Sequence, residues 1–522
     1  MVSRFGYLTD HCPTDGRDGH AVAQTNGESH GDSAGISSGG GRKERKRAQE
    51  AVILIEITPS QRLTFLLDGS PLKPIQRWLW VLSTGGTLLD GFVIFALGVA
   101  MPLLTVEFHL TPDVIGLIGA SLVFGAVFGA GLGGPMADHL GRKKLMLADM
   151  IIIAVGATTS ALANGFPMLF VGQLLVGVGV GIDFPTSSSY VSEVLPKRSR
   201  ARMMVATIAC QSVGMLLAAM ITLVLLKNAH SAQIWRLFLT TEGVIALLFF
   251  LLRLLEPDSP HWLMVRGRFA EAAQAFIRIM PEQREAVLQI TGNAGNQSLT
   301  NSVAPPKPPR IAILFSRAYR ARTVLVAVPW FLMDIATYGV GLFTPVILGA
   351  IDVSDKRVGV IAHDFADARG SAAIDLFLLL GFLLGIWAVP RFGRIRMQAI
   401  GFASMAFGML LLTIAVRLSN SPAGAGHIPL VFAGFILFNL LMNAGPNSTT
   451  FALAPMLFPT QLRATASGFA AGVAKIGATL GVFVLPILKG KFGVPAVLGM
   501  MATVSVLGLV VTLVFGHEDR ED

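Results

Sequence analysis

The chain has 522 residues, of which 53% are hydrophobic and only 14% are charged. Soluble domains carry roughly 25% charged residues, so this composition excludes an ordinary soluble protein and indicates lipid surroundings. The net charge of +9 fits basic residues gathered in loops at one membrane face better than nucleic-acid binding. The two cysteines, Cys12 and Cys210, are too few and too far apart to predict a disulfide, a metal site or a redox motif.

The chain opens with a polar segment. Its first 50 residues are rich in Gly, Ser, His and Asp, and they end in a basic run at 42–47. No apolar stretch comes first, so we expect no cleavable signal peptide. Residues 1–77 are therefore predicted to form a largely disordered cytoplasmic tail.

Twelve apolar segments follow, each near the length of about 20 residues that crosses a bilayer. Six lie within residues 78–254 and six within 321–515, with a polar cytoplasmic loop at 255–320 between them and a short tail at 516–522. This pattern predicts an all-α membrane protein with twelve transmembrane helices in two pseudo-symmetric six-helix halves around a midplane site. The expected spans lie near 79–105, 114–135, 145–164, 167–190, 203–226, 234–254, 322–350, 373–390, 397–417, 428–456, 464–487 and 492–515.

Basic residues mark one side of the predicted bundle. They follow the second, fourth, eighth and tenth spans, whereas the first and third connections carry no Lys or Arg. Positively charged loops stay in the cytoplasm, so we expect both termini there and a multi-pass protein of the cell membrane. The basic residues are Arg142, Lys143, Lys144, Lys197, Arg198, Arg200, Arg202, Arg391, Arg394, Arg396 and Arg463.

The connection between spans two and three, residues 134–144, reads GPMADHLGRKK. Gly134 and Gly141 permit a tight turn, and Asp138 can pair with Arg142 to latch the cytoplasmic side. This segment resembles the signature loop of the major facilitator superfamily, which implies the two-half transporter fold. The alternative is that its charges only set the topology.

Four ionisable residues inside predicted spans are the candidate functional groups, because a charge at mid-membrane costs about 2.5 kcal/mol or more. Three acids cannot all pair with one lysine, and a buried acid without a partner tends to hold a proton. The pattern therefore favours a polar cavity in a proton-coupled carrier over purely structural ion pairs. We expect Asp149, in span three, to pair with Arg142 or with the basic loop after span four. The four residues are Asp90, Asp183, Asp334 and Lys475, in spans one, four, seven and eleven.

Five segments carry a more specific resemblance. Residues 181–193 (GIDFPTSSSYVSE), 210–214 (CQSVG), 330–338 (WFLMDIATY), 445–451 (GPNSTTF) and 474–475 (AK) resemble motifs of the phosphate:proton symporter family, which is related to the sugar porters. The resemblance implies that Asp90 and Asp183 handle the proton. The substrate site that it implies consists of Phe184, Gln211, Trp330, Asp334, Tyr338, Asn447 and Lys475.

Two departures from that family matter. Phe184 stands where the family has a tyrosine whose hydroxyl faces phosphate, and Val93 stands where it has a second span-one aspartate. The first predicts weaker phosphate binding. The second predicts a simpler proton path or a different coupling ratio.

The sequence thus predicts a proton-coupled symporter that works by alternating access, with phosphate or a similar small anion as substrate. A carrier of organic acids, sugars or other metabolites is the alternative within this class, and a non-transporting nutrient receptor is the alternative outside it. An enzyme is disfavoured, since the sequence offers no nucleophile–base pair and no metal cluster. The expected partners are a small anion, protons and the bilayer, with no cofactor, metal or nucleic acid and no requirement for an oligomer.

Overall fold

A computed structural model describes residues 59–228, 231–301, 311–341, 360–419 and 428–516. These residues form helices joined by short turns, and none of them lies in a strand. A helix satisfies its own backbone hydrogen bonds, which makes it the economical way to cross lipid.

The first half begins with two short helices and continues with six long ones. Pro74, Pro112 and Pro167 stand in the first turn of their helices, where a missing N–H costs nothing. The helices are α1 (Pro59–Gly69), α2 (Pro74–Ser83), α3 (Gly85–Phe108), α4 (Pro112–Leu140), α5 (Arg142–Ala161), α6 (Phe166–Val194), α7 (Lys197–Lys227) and α8 (Trp235–Arg253).

Three helices occupy the polar segment between the halves. The strongly amphipathic stretch near 270–280 is helix α10 (Phe269–Ile279), which buries Phe276 and Ile279. It is flanked by α9 (Pro260–Val265) and α11 (Arg284–Asn301). Residues 302–310 of this predicted loop, which include the proline-rich run at 304–309, lie outside the described residues.

The second half repeats the pattern with less regular helices. Its members are α12 (Arg320–Gly341), α13 (Val360–Phe392), α14 (Arg394–Ser419), α15 (Ile428–Met442), α16 (Ser448–Leu457) and α17 (Arg463–Phe515). A π-helical turn, Asn443–Asn447, joins α15 to α16, and a non-helical residue, Gly493, divides α17 into two segments.

The predicted architecture of twelve spans in two halves is confirmed. Ten helical segments of the described chain are long and apolar enough to cross a membrane. The two remaining spans are α13, whose apolar part is Leu376–Phe392, and the α15–α16 pair with its central π turn. Spans eleven and twelve are the two segments of α17, on either side of Gly493.

The structure differs from the prediction at two places. Helix α1 and the start of α2 are helical although they lie within the segment that was expected to be a disordered tail. Burial of Leu63 and Leu67 on one face of α1 stabilises that helix. Residues 1–58 of that tail lie outside the description. The helix that contains span eight begins at Val360, well before residue 373, although its apolar part is Leu376–Phe392.

The two halves meet along two helix pairs. Helix α4 packs on α17, and α7 packs on α13, so spans two and five of the first half contact spans eleven and eight of the second. Corresponding turns also match, because Gly141 and Gly393 both take positive φ (104° and 88°) just before an arginine that begins the next helix. We call the face that carries these two turns the basic-loop face.

Candidate functional site

Spans one and five approach backbone to backbone and thereby bring Gln211 to Asp90. A β-carbon at Gly91 would lie 1.9 Å from the carbonyl oxygen of Gln211, and one at Gly214 would lie 1.9 Å from that of Leu88. Only glycine allows this approach. The Gln211 side-chain amide donates to a carboxylate oxygen of the buried Asp90 across 2.6 Å.

Spans seven and eleven make the matching contact in the second half. A β-carbon at Gly477 would lie 2.4 Å from the carbonyl oxygen of Phe331. The close approach places Lys475 beside two residues of α12: its ammonium donates to the Tyr338 hydroxyl across 3.1 Å and lies 3.9 Å from the Asp334 carboxylate. The predicted substrate residues Asp334, Tyr338 and Lys475 are therefore neighbours.

Three aromatic rings pack together beside Lys475. The Phe184 ring lies edge-on to Trp330, with centroids 6.2 Å apart, and to Phe451, with centroids 6.1 Å apart. The Lys475 ammonium sits 5.0 Å from the Phe184 ring centre, which is cation–π distance. Phe184 thus joins span four to the lysine through its ring face.

A small cavity connects the two pairs of spans. Its volume is about 10 Å³, and Asp90, Tyr338 and Lys475 line it together with apolar residues of spans two and four. A volume of this size holds about one water molecule. This cavity is thus too small to hold an ion such as phosphate together with its hydration.

Asn447 is a predicted substrate residue whose hydrogen-bond partner lies in its own π-helical turn. It ends the π-helical turn, where Pro446 has no N–H to donate to the regular ladder. Its side-chain amide donates to Asn443 across 2.8 Å. Turns of this kind occur frequently at functional sites.

Asp183 lies apart from the cavity residues and has a partner that the sequence analysis missed. Arg253, at the end of span six, is fully buried and donates to Asp183 across 2.8 Å and to Asp149 across 3.1 Å. A β-carbon at Gly86 would overlap the Asp183 carboxylate, so that glycine makes room for it. The sequence argument counted Lys475 as the one cation available to the three acids, and this count was wrong because it left out Arg253 at the end of its helix.

The expected partner of Asp149 was also wrong. Its carboxylate pairs with Arg253 rather than with Arg142 or the loop after span four. The structural role proposed for Asp149 thus involves span six. The sequence offered only the position of Arg253 in the last turn of an apolar span.

The predicted latch residues form one network at the basic-loop face. Asp138 accepts hydrogen bonds from the backbone N–H and the hydroxyl of Thr465, across 2.8 and 2.7 Å, and thereby ties the first half to the second. Arg142 lies 2.9 Å from Asp138 and 3.0 Å from Glu193. Arg463 also pairs with Glu193, at 3.3 Å.

Both glycines of the predicted latch are sterically required. A β-carbon at Gly134 would lie 2.3 Å from the carbonyl oxygen of Ala464, across the boundary between the halves. Gly141 has φ 104°, and a β-carbon there would lie 2.6 Å from Asp258. Burial raises the pKa of the Asp258 carboxyl, which lies just outside the membrane-spanning helices.

Glu242 is a second ionisable residue in span six that the sequence analysis did not select. Its side chain is fully buried, and neither carboxyl oxygen has a hydrogen-bond partner within the described parts of the chain. A charge inside a membrane span is costly, so Glu242 meets the criterion by which Asp90 and Asp183 were selected as candidate functional groups.

A family comparison identifies the protein class. The model of the Sugar (and other) transporter family matches residues 78–519, which covers all twelve spans. The chain belongs to this family. It is therefore a multi-pass membrane transporter of the major facilitator superfamily, as predicted, and not an enzyme.

Relatives of two kinds are similar to this chain. A putative metabolite transport protein, YaaU of Escherichia coli K12, is 28% identical over 420 residues, covering 80% of this chain and 87% of YaaU. Low affinity inorganic phosphate transporter 4 of Medicago truncatula is 28% identical over 403 residues, covering 72% and 74% of the two chains.

Solved structures support the fold. A proton:xylose symporter, XylE, bound to a bromodeoxyglucose matches with a TM-score of 0.67 at 20% identity, over 83% of this chain and 94% of XylE. A double tryptophan mutant of XylE matches with a TM-score of 0.70 at 18% identity, over 84% and 96%.

Proposed function

We propose that this transporter is a proton-coupled symporter that carries inorganic phosphate or a similar small anion by alternating access. The observation that carries the proposal is the buried ammonium of Lys475, with the Tyr338 hydroxyl at 3.1 Å and the Asp334 carboxylate at 3.9 Å. A cation that is buried beside hydrogen-bonding groups in a membrane bundle favours an anionic ligand. The named phosphate transporters among the relatives support the same substrate class.

The carboxylate beside Lys475 suits an anion that carries its own protons. Dihydrogen phosphate has hydroxyl groups that Asp334 can accept, while Lys475 and Tyr338 donate to its other oxygens. Sulfate at neutral pH has no proton to offer and would leave two acceptor oxygens facing each other. Such a mismatch discriminates strongly between ligands.

Asp90 gives a physical reason for coupling to protons. It lines the same small cavity as Lys475, so an ionised Asp90 opposes the arrival of an anion there. It also holds the Gln211 amide at 2.6 Å. Protonation of Asp90 removes the negative charge and weakens its hold on Gln211, whose amide then donates to the substrate. Asp183, paired with Arg253, is the second proposed proton site.

The arrangement at the basic-loop face supports alternating access. The bonds from Thr465 to Asp138 hold the two halves together there, and the central cavity has a volume of only about 10 Å³. Opening one face while the other is latched moves the substrate site between compartments. We place the chain in the cell membrane with the basic-loop face and both termini in the cytoplasm. A reporter fused after residue 310 that scored outside the cytoplasm would overturn this topology.

A metabolite or sugar carrier is the second candidate. The rings of Phe184, Trp330 and Phe451 lie around the site, and aromatic faces pack well on sugar rings. The metabolite transport proteins of Escherichia coli among the relatives point the same way. In that case Asp334 would accept hydrogen bonds from a neutral hydroxyl.

Competition in proteoliposomes separates the two candidates. The purified chain is reconstituted, and uptake of labelled phosphate is measured against unlabelled phosphate, sulfate or a neutral hexose. We expect phosphate to compete fully and sulfate and hexose to compete poorly. Uptake of labelled hexose is measured in the same way. If the chain takes up hexose and millimolar phosphate does not inhibit that uptake, the phosphate assignment is refuted, while the transporter fold is unaffected.

A further inference from the structure

Glu256 lies where the membrane-spanning part of span six ends, three residues beyond Arg253. Its side chain is fully buried, although it stands at the basic-loop face rather than in the bilayer. One carboxyl oxygen lies 3.3 Å from the Ser83 hydroxyl. The other has no hydrogen-bond partner among the residues that the structure describes.

The Ser83 hydroxyl has two possible acceptors. A hydroxyl has a single hydrogen, and Ser83 lies closer to the carbonyl oxygen of Leu79, at 2.7 Å, than to Glu256, at 3.3 Å. The hydrogen bond that Ser83 can donate to Glu256 is therefore long and shared. The second carboxyl oxygen of Glu256 is buried with no partner among the described residues, and burial without a partner favours the protonated form of a carboxyl.

Ser83 also connects Glu256 to the Asp183 pair. The same guanidinium nitrogen of Arg253 that donates to Asp183 across 2.8 Å donates to the Ser83 carbonyl oxygen across 2.9 Å. Arg253 thus bonds Asp183 directly, while Glu256 contacts the hydroxyl of Ser83, whose carbonyl oxygen Arg253 also holds. Arginine keeps its charge throughout, so Arg253 holds Asp183 in place without carrying the proton itself.

We propose that Glu256 accepts the proton that Asp183 releases and passes it to water at the basic-loop face. The inference rests on the proposed symport. In the transfer step the O–H bond of the Asp183 carboxyl breaks and an O–H bond forms on Glu256. Neither Arg253 nor the Ser83 carbonyl oxygen can hand a proton on, so the proposed carrier is a water molecule that enters between the two carboxyls. Asp183 becomes a carboxylate and pairs with Arg253, as the structure has it. Glu256 then loses the proton to water when that face opens.

The charged groups around Glu256 are consistent with this role. Burial raises the pKa of Glu256 to about 7, Asp183 adds to the rise, and Arg253, Ser83 and Lys143 offset part of it. The Tyr190 hydroxyl, on α6, donates to the adjacent Pro257 carbonyl oxygen and faces the same group. Glu256 is therefore protonated below about pH 7 and ionised above it, so a neutral or alkaline compartment at this face draws the proton off.

The test compares Glu256→Gln and Glu256→Asp with Glu285→Gln, a matched change at an exposed glutamate of α11. Counterflow of labelled phosphate requires no net proton movement, whereas accumulation driven by a pH gradient does. We expect Glu256→Gln to keep counterflow within about twofold and to lose accumulation about tenfold or more. Glu256→Asp should retain accumulation, and Glu285→Gln should match the native chain.

The dependence on pH at the basic-loop face provides a readout that a structural role would not move. Net uptake by the native chain should rise as the pH at this face increases through about 7, because Glu256 then releases its proton. Glu256→Gln should lose that rise. The titration of phosphate itself is common to all four proteins. The inference is overturned if Glu256→Gln accumulates phosphate with the native pH profile. It is equally overturned if counterflow and accumulation fall together and the pH profile of the remaining uptake is unchanged.

An infrared titration tests the same carboxyl without any transport. The native chain in detergent should show a protonated carboxyl band that disappears around pH 7 and is missing from Glu256→Gln. Absence of that band from the native spectrum refutes the assignment, even if phosphate uptake is normal. If the band is present but the native chain carries no phosphate, the proposed substrate fails while the buried acid stands.

Discussion

The guanidinium of Arg253 donates to the carboxylate of Asp183 across 2.8 Å in the interior of the first half. The same side chain holds Asp149 and three backbone carbonyl oxygens, so one residue joins spans one, three, four and six. A buried ion pair of this kind contributes little net stability when intact. Removing one member is costly because the other charges are left buried without a partner.

Arg253→Met should therefore destabilise the chain strongly. It leaves Asp149 and Asp183 without their cation, at an expected cost of about 3–5 kcal/mol. Thermal unfolding in detergent should show this as a large fall in the midpoint. Arg268→Met, at an exposed pair with Glu271, serves as the control and should cost less than about 1 kcal/mol. Equal midpoints for the two variants would contradict the account of this network.

Gly134→Ala should weaken the closed state of the basic-loop face. The added methyl would lie 2.3 Å from the carbonyl oxygen of Ala464, so α4 and α17 must separate. Gly131→Ala, one turn earlier, meets open space and is the matched control. Spin labels at the exposed positions His139 and Gln461, with both native cysteines replaced, report the distance between the halves. We expect a longer distance for Gly134→Ala alone, and an unchanged distribution would refute the steric role.

Phe184→Tyr should tighten phosphate binding. The Phe184 ring already lies 5.0 Å from the Lys475 ammonium, and a hydroxyl there adds one donor to the proposed anion site. One extra hydrogen bond stabilises by about 1 kcal/mol, which corresponds to roughly fivefold in the apparent KM for phosphate. Phe451→Tyr adds the same hydroxyl to a ring that packs on Phe184 and Trp330, and should give no such gain. A higher KM for Phe184→Tyr would count against phosphate as the substrate.

Glu242→Leu should raise stability. The native carboxyl is fully buried and has no hydrogen-bond partner within the described residues, and such a group costs about 1–3 kcal/mol. Leucine removes that cost at similar volume, so the unfolding midpoint should rise while phosphate exchange is unchanged. A variant that unfolds normally but no longer exchanges phosphate would show instead that Glu242 takes part in transport.

The sequence predicted the fold well because the apolar length of each span and the alternation of basic loops depend on the bilayer alone. The contacts of Asp334, Tyr338 and Lys475 agree with the cavity inferred from ionisable residues in spans. The roles assigned to the predicted site residues stay predictions. Arg253 escaped notice because a basic residue in the last turn of a span usually reaches water, and only the packing of four helices shows that this one does not.

Other features depend on tertiary contacts that no local pattern specifies. The π turn at 443–447 follows from how Pro446 interrupts one helix while Gly445 packs against another. The bonds from Thr465 to Asp138 join residues more than three hundred positions apart. Burial of Glu256 depends in the same way on helices distant in sequence, so its charge alone suggested only a solvated residue at a helix end.

Uptake of labelled phosphate driven by a pH gradient tests the central claim most directly. Proteoliposomes that contain the native chain should accumulate phosphate above the external level when the outside is more acidic, and a protonophore should abolish this. Asp183→Asn, which cannot exchange a proton at that position, should keep phosphate exchange but lose accumulation. Accumulation by Asp183→Asn equal to that of the native chain, or native uptake that is indifferent to the pH gradient, would contradict proton-coupled symport.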